Sequence, residues 1–196
     1  MPIDVHAHYV PRRIVDTLEA QGARYGVSVV GTEPPCHALR FAHGLTTRPF
    51  FAKLVEEPER RIAGMAGVGI DRQLLSAWAD IFGYGLAREQ GAAWHRLLNE
   101  SLADVCGCHP ERFSLLASGH LPDAAGAARE LERAVRTLGA VGAVAATNVE
   151  GVNLGEAPLD EYWAAAVELG VPVFLHPAQP VPAPRARRFA LNQIVQ

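Results

Sequence analysis

The sequence predicts an α/β fold made of parallel β-α units, and three observations support this. Short apolar runs of strand length alternate with helical segments along most of the 196 residues. The runs are apolar at successive positions, the pattern of strands covered on both faces. Glycines at 139 and 170 stand just past two of the helical stretches, where a left-handed residue ends a helix.

Ile3 to His8 is the first such run, brief enough to be a strand. Helical spacing follows around Pro11 to Gln21, carried by Ile14 and Leu18. Val27–Thr32 and His37–Phe41 are two short strand-like runs joined by Glu33-Pro34-Pro35, which predicts a small hairpin. We read 27–48 as an excursion from a single domain spanning 1–196. Met65–Ser76 reads as a helix end, a glycine turn and a buried strand marked by Ile70.

Gly91–Cys108 places Trp94, Leu97, Leu98, Leu102 and Val105 at amphipathic helical spacing, with Pro110 after its end. Phe113–Ala117 has the length of a strand. Asp123 opens a helix that runs through Leu138, Val141–Ala146 is a strand of small residues, and Leu159–Leu169 is a further helix. Val171–His176 is the last strand, and Pro177–Pro184 reads as a loop. About five parallel strands result. A doubly wound open sheet fits that count too, but the Gly-x-Gly-x-x-Gly turn of dinucleotide folds is absent after the first strand.

Composition narrows the function classes. Hydrophobic residues make up 49% and charged residues 20%, ordinary for a globular chain. Net charge is −3 and the eighteen Lys and Arg are scattered, so neither nucleic acid nor an anionic membrane is an expected partner. No apolar stretch approaches the ~20 residues that span a bilayer, and the start lacks the features of a secretory signal. Cys36, Cys106 and Cys108 form no even disulfide set. The expectation is reduced thiols in a cytoplasmic protein.

His6-Ala7-His8 carries the most chemistry. In a strand, residues i and i+2 share a face, so the two imidazoles converge. At the C-terminal end of a barrel's first strand, that face is the mouth, where active sites sit. Imidazoles there suit zinc, iron, nickel and similar ions. A His-x-His pair also arises with one ring packed and one solvated, but a buried imidazole without partners is costly. His176 ends the run Val171-Pro-Val-Phe-Leu-His, and Pro177 cannot continue a ladder, so a third imidazole sits at the same rim.

Those residues, with their neighbours, resemble a known family. Ile3-Asp-Val-His-Ala-His-Tyr-Val-Pro11 is similar to the opening of the amidohydrolase-2 group, which contains metal-dependent decarboxylases. Asn99-Glu-Ser-Leu-Ala-Asp104, His109-Pro-Glu-Arg-Phe113, Leu154-Gly-Glu-Ala-Pro-Leu-Asp160 and Val171–Pro177 resemble successive segments of that group. The resemblance implies a TIM-type (β/α)₈ barrel, here incomplete at about five strands. It implies that His6, His8 and His176 bind one divalent metal, with Zn2+ the usual expectation and Mn2+ found in relatives. His176 also carries the catalytic assignment.

The group's later histidine and aspartate lie beyond residue 196, and a typical barrel needs about 250 residues. The expectation is therefore a truncated barrel with weak metal affinity, or a relative that closes by association into a homo-oligomer. Asp71 and Asp123 do not stand in matching positions. Arg48 lies where relatives place an arginine for a substrate carboxylate, with Arg60 and Arg61 as competitors. Trp78 and Phe82 follow the second strand and suit a pocket wall for a flat substrate. His120, just past the third strand, is a candidate substrate contact, and His37, His43, His95 and His109 are read as structural or solvated.

The resemblance implies carboxy-lyase chemistry on a small carboxylated aromatic or muconate-like acid, without an organic cofactor. A lactone or amide hydrolase, or a hydratase, on the same frame is the alternative. An inert metal-binding fragment is the reading from another class. A phosphoesterase that also opens with His-x-His needs more His and acidic ligands than this chain places.

Overall fold

The structure is a computed structural model that describes residues 1–31 and 36–178. Its centre is a five-stranded sheet in which β1 (Ile3–His8), β4 (Arg72–Ser76), β5 (Phe113–Ala117), β6 (Gly142–Ala146) and β9 (Val173–His176) lie side by side in that order. Every neighbouring pair is parallel. Helices α1 (Arg12–Tyr25), α2 (Ala52–Val55), α3 (Pro58–Gly67), α4 (Arg88–Cys108), α5 (Ala124–Leu138) and α6 (Asp160–Leu169) connect the strands. This is an incomplete TIM-type barrel: sequential strands sit beside one another and each crossover carries a helix.

The excursion after α1 pairs β2 (Val27–Val30) with β3 (Ala38–Phe41) in antiparallel register. The expected Glu33-Pro34-Pro35 connection lies outside the described residues, as does the loop from residue 179 onward. A second small hairpin, β7 (Asn148–Val149) with β8 (Val152–Asn153), follows β6. It had no signal beyond Gly151, because each strand is two residues long.

The core lies between the sheet and its helices. Trp94, Leu98 and Leu102 of α4 are fully buried against Phe113 and Leu115 of β5 and Leu75 of β4. Trp94 also donates its indole N–H to the Ile81 carbonyl at 2.7 Å, so its one polar atom is satisfied. Helix α5 packs on α4 and α6. Asp123 caps α5 by accepting from Gly126 N at 3.2 Å, and Gly139 ends it with φ of 71°.

Some boundaries moved, each for a local reason. Gln21, where the first helix was expected to end, has φ of −143°, and the chain resumes helical geometry through Tyr25. Ile70 donates to the Met65 carbonyl and so still belongs to the turn after α3, which delays the second strand to Arg72. Val171 likewise donates to Ala166 of α6, and Pro172 has no N–H, so the last strand starts at Val173. The expectation that every strand is covered on both faces fails at the rims. Ile3 and Val5 of β1 are 45% and 48% exposed, and Leu175 of β9 is 49% exposed, because these are the outer strands of the described sheet. No helix among the described residues is long and apolar enough to cross a membrane.

Candidate metal centre

Parallel register decides which side chains meet. His8 lies opposite Ser76 of β4, and His176 lies opposite Ala146 of β6, so both occupy the C-terminal ends of their strands. The register of β1 shifts between Asp4 and Ala7, and Asp4 Oδ1 accepts from His6 N at 3.0 Å across that irregularity. Both histidines of the His-x-His pair project to one side, as the two-residue strand period requires. His6 Nε2 is 3.0 Å from His8 Nε2, which is 2.9 Å from His176 Nε2. Each of the three ring pairs has centroids 4.7–4.9 Å apart.

Hydrogen bonds on the far sides of these rings assign their tautomers. His8 Nδ1 is 3.2 Å from the Ala77 carbonyl, and His176 Nδ1 is 2.6 Å from the Pro177 carbonyl. A carbonyl oxygen only accepts, and Ser76 Oγ, also 3.2 Å from His8 Nδ1, can accept as well, so the arrangement that satisfies every contact has both hydrogens on Nδ1 and a lone pair on each Nε2. Two lone pairs 2.9 Å apart repel and cannot hydrogen-bond each other. A cation between them converts that repulsion into coordination. Ions bonded to imidazole at about 2.0–2.1 Å hold neighbouring nitrogens roughly 3.0–3.4 Å apart, so the observed spacing fits.

Electrostatics favour the same state. Burial, then the imidazoles of His176 and His6, pushes His8 down to about 4. Burial likewise lowers His176. Both rings are therefore neutral near pH 7, the form that ligates.

Behind β1 a buried polar network fixes the strand. Arg61 of α3 is 3% exposed and donates to the His8 carbonyl at 3.0 Å, the Lys53 carbonyl at 2.5 Å and Gln73 Oε1 at 3.1 Å. Gln73 in turn donates to Asp4 Oδ2 at 2.9 Å. Arg61 thus holds the backbone of a histidine and does not enter the cavity, and Arg60 is exposed.

The three imidazoles open into a cavity of about 570 Å³. Arg48 and Trp78, expected as substrate contacts, line it, and so does Phe82. His120 does not join them. It is 4% exposed and borders a separate cavity of about 540 Å³ with Arg88, Asp123 and Glu150. Its ring lies against Gly91, where an added Cβ would meet Nδ1 at 2.4 Å. The residue after β5 faces helix α4 there, since the loop turns outward before α5.

Sequence reading missed four residues that line the histidine cavity. His43 and Asn148 come from the two hairpins, Asp80 from the turn after β4, and Tyr84 from Gly83-Tyr84-Gly85. An aromatic between two glycines beyond a parallel strand was a usable signal for Tyr84. The others depend on where the hairpins fold back.

The comparisons agree with this frame. A family model described as Amidohydrolase matches residues 3–195. The chain is 28% identical over its full length to 2-amino-3-carboxymuconate-6-semialdehyde decarboxylase of Dictyostelium discoideum, of which it covers 54%. It is 33% identical over 140 residues, 66% of the chain, to the gamma-resorcylate decarboxylase of Rhizobium radiobacter, covering 42% of that protein. The crystal structure of a dihydroxybenzoic acid decarboxylase of Polaromonas sp. JS666, with bound manganese and the inhibitor 2-nitroresorcinol, superposes with a TM-score of 0.66 at 25% identity. That match covers 96% of this chain and 52% of the other. The chain thus spans about half the length of the relatives it matches. Histidines on the first and fifth parallel strands, the sheet order and the match over residues 3–195 together place the chain in the amidohydrolase family.

Proposed function

We propose that this chain forms the metal-binding part of a carboxy-lyase acting on a small aromatic or muconate-like carboxylic acid. His6, His8 and His176 hold one divalent ion. The single observation that carries the reading is the convergence of three imidazoles, with His6–His8 and His8–His176 Nε2 atoms 3.0 and 2.9 Å apart, beside a cavity with one guanidinium, Arg48, among its described lining residues. A bound divalent ion supplies Lewis acidity toward the substrate's oxygen atoms. The residues of the chain supply the rest. Arg48 receives the carboxylate through paired N–H groups, and Trp78 and Phe82 offer flat walls for an aromatic ring.

The all-imidazole donor set favours zinc. The manganese in the Polaromonas enzyme makes Mn2+ the second choice. Decarboxylation is preferred over lactone or amide hydrolysis because the relatives named above are decarboxylases. The free Cys36, Cys106 and Cys108 accord with a reducing, cytoplasmic setting.

Metal analysis tests the site directly. Purified protein dialysed against excess Zn2+ or Mn2+ is expected to bind about one equivalent, with the weak affinity of a three-imidazole set. His6→Ala and His176→Ala are each expected to lose at least tenfold in metal affinity. Stoichiometric metal in both variants refutes the ligand assignment. Release of CO₂ from gamma-resorcylate, set against hydrolysis of an aryl lactone, separates the two chemistries.

A further inference from the structure

Asp80 is the one carboxylate, and Arg48 the one guanidinium, among the described residues that line the histidine cavity. They meet there: Arg48 Nε donates to Asp80 Oδ2 at 3.1 Å. The guanidinium carbon also lies 4.9 Å from the ring centre of Trp78 and 6.0 Å from that of Phe51. Asp80 and Trp78 follow β4, whereas Arg48 follows the hairpin of β2 and β3. Two separate parts of the chain thus fix one side chain from its edge and from its face.

Stability does not explain the pair. Its side chains are 57% and 42% exposed, and an ion pair so placed adds little to folding. Presentation does explain it. A guanidinium has two edges that can grip a carboxylate with paired N–H donors, Nε with one Nη and the two Nη together. Asp80 occupies Nε and withdraws the first. No described residue accepts a hydrogen bond from Nη1 or Nη2 of Arg48.

We propose that Asp80 is a positioning residue that makes Arg48 bind the substrate carboxylate end-on, through Nη1 and Nη2. This rests on the reading of Arg48 as the carboxylate-binding residue. Arginine loses much rotamer freedom when it is held in one geometry. Asp80 and Trp78 impose that ordering before the acid arrives, so the acid does not have to. The carbonyl of Asn at position 80 accepts the same N–H, whereas Ala leaves Arg48 free to swing.

The test uses the full chain loaded with Mn2+, titrated calorimetrically with 2,6-dihydroxybenzoate and with its uncharged isostere 2,6-dihydroxybenzamide. Asp80→Ala is expected to weaken the acid at least tenfold and the amide less than threefold. Asp80→Asn is expected to stay within threefold of the unaltered protein for both, and Arg48→Lys to lose the acid as Asp80→Ala does. Acid binding by Asp80→Ala that is unchanged or tighter overturns the inference, because Asp80 then only neutralises Arg48. Equal weakening of acid and amide also overturns it, as a general distortion of the cavity. If the unaltered protein binds neither compound, the aromatic-acid reading of the cavity itself falls. If it binds the acid and only the Asp80 substitutions are silent, that reading stands and this inference alone falls.

Discussion

Arg61 shows how much of the site depends on a residue that never enters it. Its guanidinium is enclosed, 4.9 Å from the ring centre of Tyr9, with Glu56 Oε1 3.6 Å from Nε. Burial lowers its pKa, and the carboxylate of Glu56 opposes that. Removing Arg61 leaves Glu56 with the exposed Lys53, whose Nζ is 3.3 Å from Oε1, and strands the buried acceptors that Arg61 serves, at a cost of about 3–5 kcal/mol. Arg61→Met is therefore expected to destabilise the protein by roughly that amount, read as a lower urea midpoint at unchanged slope. Metal affinity should fall as well, since the His8 carbonyl loses its donor. A midpoint within 1 °C or 0.1 M of the unaltered protein, taken as about 0.3 kcal/mol, would contradict this account.

At the scale of elements, helix α4 holds a glycine where propensity alone favours alanine. Replacing a helical glycine with alanine normally gains about 1 kcal/mol. At Gly91 the new methyl would lie 2.4–2.5 Å from three atoms of the buried His120 ring. Overpacking of that kind costs about 1–3 kcal/mol, so the steric effect wins. Gly91→Ala is expected to destabilise by about 1 kcal/mol net, and Gly91→Ala with His120→Ala to recover most of it. A stabilised single variant in thermal melts would show that the ring moves aside freely. Nothing in the spacing of Gly91–Cys108 announces this, because the ring arrives from the loop after β5. The excursion of β2 and β3 is the opposite case: its apolar runs were visible, but that its far side brings His43 and Arg48 over the imidazoles depends on how it folds back.

Across the whole molecule, buried imidazoles tie stability to pH. His95 is fully buried with Nδ1 2.9 Å from Ser118 Oγ, and Ser118 N donates to Asn99 Oδ1 at 2.8 Å. Asn99 in turn donates to Glu130 at 2.8 Å, so this chain of polar groups runs out toward α5. Burial, and next the His120 imidazole, pushes His95 down to about 3, and His120 is lowered by burial. The unfolded chain takes up these protons below about 6.5, while the folded protein takes up both only at lower pH, His95 not until about 3. The stability they contribute is complete above about 6.5 and is lost as pH falls toward 3. Metal-free protein should hold a flat urea midpoint from about pH 7 to 8.5 and decline steadily between roughly 6.5 and 4, by up to about 1.4 kcal/mol per pH unit for each histidine. His95→Asn, which keeps a partner for Ser118, should lessen that decline by one histidine's share, leaving those of His8, His120 and His176. An equal slope in the variant would remove His95 as its source.

The bare chain carries the element order, the parallel β-α class and the family, because apolar periodicity, glycine stops and the His-Ala-His opening are local and survive without coordinates. It also determined which imidazoles stand at strand ends, since a proline after His176 and a two-residue strand period are chain-local facts. What those ends face emerges with the packed fold. The Nδ1 partners of His8 and His176 set both tautomers, Arg61 lies behind the strand while Arg48 lies before it, and His120 turns to Gly91 and away from the metal centre. Each depends on the angle at which a loop leaves the sheet. That angle is set by packing between residues tens of positions apart, and no local pattern encodes it.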